Sequence, residues 1–134
     1  DVSRFKGANL ITPTEREARL ALQNFDDGLV VLADKLMAKT SAQNILLKLG
    51  VDGMIAQLAQ KQDRMPHTER LDALNLNPVD VSGAGDSVLI TASLALAAGA
   101  TLWQASLLGN VAAFIQVGRV GNIPIRPSEI TQVL

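Results

Sequence analysis

Residues 84–98 are almost all small and apolar, and two glycines, Gly83 and Gly85, flank the first of them. A run of that length, closed by Gly99, predicts a helix buried on most of its surface. At 134 residues with 48% hydrophobic side chains, the chain suits one domain with enough apolar material for a core. Two domains would be hard to fit.

The rest of the chain alternates short apolar runs with helical periodicity. Residues 8–12 read as a buried strand closed by Pro13. Thr14 and Glu17 then have capping-box spacing ahead of the helical run 18–22. Asp26 and Asp27 open a second helical stretch, with Leu29, Leu32, Ala33, Leu36 and Met37 spaced close to 3.6 residues per turn. Residues 45–49 predict a strand, Gly50 to Gly53 a turn, and residues 54–59 the second strand of a hairpin. Residues 60–79, broken by Pro66 and Pro78, read as a polar connection with a short extended piece. Thr101 and Gln104 repeat the capping-box pattern before a second buried helix running to about Val117. A loop over 118–127 and a last short helix over 128–133 complete the order. Strands alternating with helices indicate an α/β domain.

Composition excludes several classes of function. With 12 basic and 13 acidic residues the net charge is −1, which provides no electrostatic footprint for nucleic acid or an anionic membrane. No cysteine is present, so disulfides, zinc–thiolate sites and thiol catalysis are out, and one histidine, His67, cannot form a His-based metal cluster. The most apolar stretch, 88–98, falls short of the ~18 residues a membrane span needs and contains Thr91 and Ser93. The N-terminus lacks the pattern of a signal peptide. A cytoplasmic protein is the expectation. The chain starts at Asp1 and runs almost at once into an apolar segment, as a cut through a larger domain would.

The chemistry concentrates in Asp80-Val81-Ser82-Gly83-Ala84-Gly85-Asp86-Ser87. Glycines at a loop-to-helix junction let a phosphate approach the main chain. The N–H groups of the first turn and the positive end of the helix dipole then form an anion site. Asp86 falls in that first turn, where a carboxylate beside a transferring phosphoryl group suits a base for an attacking hydroxyl. A purely structural account also exists: Ser82 as N-cap, and Asp86 favoured by the dipole alone. Neither the Walker A pattern nor the G-x-G-x-x-G dinucleotide fingerprint occurs.

The octapeptide resembles the D-[TS]-x-G-A-G-D signature of PfkB-type carbohydrate kinases. The resemblance implies the C-terminal part of a ribokinase-like three-layer α/β/α fold, a single partial domain over 1–134. It implies that Gly83, Ala84 and Gly85 form the anion hole and that Asp86 is the catalytic base. Three further segments are similar to family motifs in the family's order. Residues 11–17 resemble the T-P-N-x-x-E segment, whose Asn and Glu act near magnesium and the phosphates. Thr14 stands where the family has Asn, and Glu17 matches its Glu. Lys48, Gly50 and Gly53 match the [TK]-x-G-x-x-G turn bordering the nucleotide. Asn110 matches the Asn of an A-N-A-A run beside the nucleotide base.

The capping box gives Thr14 and Glu17 a structural explanation as well. Lys48 reads equally as a cation near phosphate or as a solvated strand end. Asn110, in an apolar helix, needs partners that a nucleotide would provide. His67 is expected on the surface, Trp103 as a helix-packing anchor, and Met37, Met54 and Met65 as packing residues. The loop 118–122, with Asp80 and Ser82, resembles the place where many of these kinases complete a monovalent-cation site with main-chain oxygens. The implied cofactors are ATP and Mg²⁺, with K⁺ as a further candidate, and the implied partner is a sugar or sugar phosphate. Residues 3–8 resemble the opening of the heptose-phosphate kinase module of bacterial ADP-heptose synthases, which phosphorylates C1 of a heptose 7-phosphate. Two rival readings stand beside this one: a nucleotide-binding or regulatory module without turnover, and a nucleoside or vitamin kinase of the same superfamily. A sheet cut at its N-terminal side would also expose apolar surface and favour a homodimer.

Overall fold

The structure, a computed structural model, describes residues 1–59 and 67–134. The loop expected across 60–66, with Met65 and Pro66, lies outside the described residues. Two compact units divide the chain, Asp1–Gly50 with Met54–Arg70 and Val51–Gly53 with Leu71–Leu134.

In the first unit, helix α1 (Glu15–Leu22) starts at a complete capping box and ends at Gln23 in a left-handed conformation. Helix α2 spans Leu29–Thr40. Its predicted stripe is the buried one, since Leu32, Ala33 and Leu36 are fully covered and Met37 nearly so. Full burial of a leucine contributes about 1.5–3 kcal/mol, so Leu32 and Leu36 alone give this helix a strong reason to dock. They join Ile11, Ala18, Ala21, Ile45, Leu47 and Ile55 in one core. Strands β1 (Asn44–Lys48) and β2 (Met54–Leu58) form the expected antiparallel hairpin, with Leu46 opposite Ala56 and Lys48 opposite Met54. Strand β3 (Thr68–Leu71), the short extended piece, is the third in the order β1-β2-β3. Gln57 is fully buried on β2, and its side-chain amide bonds Asp34 and Thr68. His67 is exposed, 3.9 Å from Glu69.

The segment expected as a strand over 8–12 is not a regular one. It runs parallel to β1 through isolated pairings, Ile11 with Ile45 and Thr14 with Lys48. The amide of Ile11 donates to Asn44 O (3.1 Å), Leu46 N to Ile11 O (3.0 Å) and Lys48 N to Pro13 O (2.8 Å). Pro13 has no N–H to return, which breaks the ladder where the sequence had already placed its end.

The second unit is built on two helices, α3 (Ala84–Ala97) and α4 (Leu102–Val117), followed by α5 (Pro127–Val133). Small residues let α3 and α4 pack closely. A side chain at Gly109 would stand 3.3 Å from Val88 Cγ1 and 3.7 Å from Ala92 Cβ. Gly99 ends α3 with φ +92°, and Thr101 starts α4 with the second capping box. Trp103 is half-buried. The expectation that α3 is covered on most of its surface is corrected here. Only Val88 and Ala92 of this helix are buried, while Leu89, Ile90 and Leu94 are 41%, 59% and 66% exposed. One helix, α4, covers one face of an apolar cylinder, and the opposite face meets solvent. No helix among the described residues is long and apolar enough to cross a membrane.

Candidate functional site

The glycine-rich turn folds as a left-handed start to α3. Gly83, with φ +74°, is the N-cap, and no side chain caps the helix. Ser82 is therefore not the N-cap, which removes half of the purely structural account of the motif. Two reasons require glycine at position 83. An L side chain is strained at that φ, and a Cβ there would fall 2.0 Å from Asn122 Oδ1. Ser87 N donates to Gly83 O (3.0 Å) and Ala84 N to Val81 O (3.2 Å). The amides of Gly85 and Asp86 precede the first regular intrahelical bond and point out along the axis, as helix starts dictate. Asp86 lies in the first turn and is exposed.

Behind the turn, Asp80 braces it. Its Oδ1 accepts from Ser82 N and its Oδ2 from Gly121 N, both at 2.9 Å. Hydrogen bonds from the Ser82 hydroxyl, then from the main-chain N–H of Gly121 and of Ser82, pull the Asp80 carboxyl down to about 2. Gln116, fully buried on α4, donates from Nε2 to Gly121 O (2.9 Å) and Ser82 O (3.3 Å). The loop 118–122 and the segment before α3 are thus one cross-tied piece. Sequence reading missed Gln116 and took Asn122 only as part of the loop 118–122. Gln116 carried a legible signal, because a long amide inside Phe114-Ile115-Gln116-Val117 invites the same question as Asn110.

Two other candidate residues meet elsewhere in this unit. Gly53 has φ +87°, and a Cβ there would collide with main-chain atoms, 1.9 Å from Leu71 O and 2.8 Å from Ala73 N. Asn110, 5% exposed, donates from Nδ2 to Asp72 O at 2.9 Å. Both hold the strand end at 71–73, so the buried Asn110 already has one protein partner.

In the first unit, Thr14 and Glu17 complete the capping box. Glu17 N donates to Thr14 Oγ1 (3.2 Å) and Thr14 N to Glu17 Oε2 (2.7 Å). The Thr14 main-chain bond holds the Glu17 carboxyl below its ordinary range, with nearby Lys48 adding to the effect. The box uses Oε2 only. An ionised carboxylate with a second oxygen fits magnesium, which takes one or two carboxylates and completes its shell with phosphate and water. Among the described residues no cluster of three or more acidic or histidine side chains could cage a metal by itself. Thr14, Lys48 and Gly50 come together in an open cleft of about 450 Å³, which Arg16, Arg19 and Phe25 also line. Arg19 is bonded to Glu15 (2.8 Å) and to the carbonyl of Asp27 (3.1 Å). Arg16 and Phe25 were not singled out by the sequence.

Comparison with known proteins bears on the chain as a whole. A profile described as pfkB family carbohydrate kinase matches residues 2–129. The chain belongs to the pfkB carbohydrate kinase family. Among curated relatives, the bifunctional protein HldE of Desulfatibacillum aliphaticivorans is 37% identical over 133 residues, 97% of this chain and 26% of its own length. HldE of Paramagnetospirillum magneticum is 36% identical over 138 residues, covering 100% of this chain and 27% of its own. This pfkB chain therefore spans about a quarter of the relatives it matches. Among solved structures, a ribokinase from Thermotoga maritima superimposes with TM-score 0.74 at 24% identity, over 92% of this chain and 41% of that one. Phosphofructokinase-2 from Escherichia coli in complex with potassium gives 0.79 at 16% identity, over 98% and 41%. Arabidopsis thaliana ribokinase complexed with ribose and ATP gives 0.74 at 20% identity, over 93% and 40%. The fold is ribokinase-like α/β, as the resemblance implied.

Proposed function

We propose that the protein carrying this chain transfers the γ-phosphoryl group of ATP to a hydroxyl of a sugar or sugar phosphate. The observation that carries the reading is the start of α3. There, a left-handed Gly83 without a side-chain cap leaves first-turn amides for an anion, and Asp86 stands in the same turn. Gly83, Ala84 and Gly85 would hold the transferring group through main-chain N–H donors in their fixed orientation. Asp86 would take the proton of the acceptor hydroxyl as it attacks in line. Glu17 would contribute an oxygen to magnesium, whose charge offsets that of the phosphates. Lys48, with the cleft formed by Thr14 and Gly50, and Asn110 would border the nucleotide.

The acceptor would be a heptose 7-phosphate phosphorylated at C1, a reading supported by the resemblance of residues 3–8, and the reaction would take place in the cytoplasm, where ATP is available. None of the motif residues supplies a polar cluster for a sugar, so these 134 residues alone should bind ATP weakly and phosphorylate nothing. The exposed face of α3 would favour a dimer of that isolated chain. The test is ATP consumption by the intact protein over a panel of sugars and sugar phosphates. Turnover dependent on one acceptor supports the reading, and nucleotide binding with no acceptor-dependent turnover would establish a regulatory module instead.

A further inference from the structure

The oxygens that resemble a monovalent-cation site are Ser82 O and those of the loop 118–122, with Asp80 beside them. Carbonyl oxygens from two loops and one carboxylate are a donor set suited to such an ion, since carbonyls replace its hydration shell. In this chain the set is already engaged. Gln116 Nε2 lies 2.9 Å from Gly121 O and 3.3 Å from Ser82 O, and its residue is fully buried. Both contacts are acceptors without protons, so it is the amide nitrogen, not the amide oxygen, that faces them. The other end of the same amide accepts from the Arg119 guanidinium at 3.5 Å. That guanidinium is anchored by Glu129 (2.9 Å) and Ile123 O (2.6 Å), which fixes a positive charge next to the amide. Asp80 has each carboxylate oxygen on a main-chain N–H, at 2.9 Å in both cases.

An ion shared by Ser82 O and Gly121 O would have to displace a buried amide donor and leave it unpaired, which is costly. It would also sit beside the fixed charge of Arg119. We propose that the side-chain amide of Gln116 takes the place of a monovalent cation. The loop 118–122 and the start of α3 are then held together by the protein alone. Gln116 is on this account a positioning residue, and the catalytic consequence, phosphoryl transfer independent of potassium, rests on the function proposed above.

The experiment compares the intact protein in potassium chloride and in choline chloride at equal ionic strength. Thermal unfolding and thallium(I) anomalous scattering are the readouts, beside turnover. The expected result is a melting temperature that differs by less than about 1 °C between the salts. No thallium should lie within reach of Ser82 O and Gly121 O, and turnover should stay within about two-fold. Gln116→Val removes the donor and should make potassium stabilise the protein by about 2–4 °C or more. Thallium bound at those oxygens in the unmodified protein, or a variant that remains indifferent to potassium, would overturn the proposal. Should the variant fail to fold in either salt, the unmodified protein decides through melting and thallium. Neither readout needs phosphoryl transfer, so an inactive protein would defeat the proposed function and leave this inference standing.

Discussion

Helices α1 and α3 both begin at segments that carry candidate residues, and they begin in opposite ways. At α1, Thr14 and Glu17 satisfy each other's main-chain donors inside the chain. At α3, Gly83 brings no side chain to the helix end, and the first-turn amides remain for something outside it. Helix α4 follows the α1 design, with Thr101 and Gln104. The difference separates two meanings of a helix start. A capped start is a stability device, and the glycine start suits an anion because it forgoes that device. Thr14 and Glu17 accordingly serve structure first, with only the second oxygen of Glu17 left by the box for chemistry.

The most severe test of the comparison is Asp86→Asn in the intact protein. Asn keeps the size and loses the base, so turnover should fall by about 10²–10⁴ while nucleotide affinity changes little. Near-normal kcat would remove Asp86 from that role and with it the chemical reading of the α3 start. Gly83→Ala comes next. The left-handed φ costs about 1–2 kcal/mol, and the Cβ must push Asn122 aside, so both melting temperature and phosphate affinity should drop. Shortening Asn122 to Gly in the same protein should restore only the steric part. A Gly83→Ala protein with unchanged stability would show that the turn is not left-handed in solution.

Thr14→Ala should cost about 1 kcal/mol of stability, as loss of a capping residue does, measured by denaturant unfolding. Phosphate affinity at the α3 start should not move, and a loss there equal to that of Gly83→Ala would erase the distinction between the two helix starts. The smallest effect concerns pH. Asp80 has its folded carboxyl at about 2 against an ordinary 3.8, so its contribution is complete above 3.8 and is lost as pH falls through about 2. Asp80→Asn should therefore shift the acid limb of an unfolding curve between those values and leave its slope at neutral pH unchanged.

Much of this was legible in the chain. The stripe from Leu29 to Met37, both capping boxes, the hairpin turn at Gly50 and the glycine stop at Gly99 all follow from local rules that act within a few residues. The exposure of Leu89, Ile90 and Leu94 did not follow, because periodicity records that a helix is apolar and not how many neighbours reach it. The broken pairing of residues 8–14 was half legible, through Pro13. Gln116 was overlooked beside Asn110, although both are amides in the same apolar helix.

By itself, the sequence determined the hairpin, the capped starts of α1 and α4, the glycine stop at Gly99 and the glycine turn with Asp86, since capping, φ preference and periodicity are properties of neighbours along the chain. Only the tertiary structure decided what those residues touch. It placed Asn122 where a Cβ at Gly83 would go, put the main chain of 71–73 against Gly53 and under Asn110, and set the Gln116 amide between Ser82 O and Gly121 O. Apart from the Gln116–Gly121 bond, which spans five residues, each of these is a contact between segments far apart in sequence. Hydrogen bonds and excluded volume act through space, and no local pattern encodes which distant carbonyl a buried amide will find.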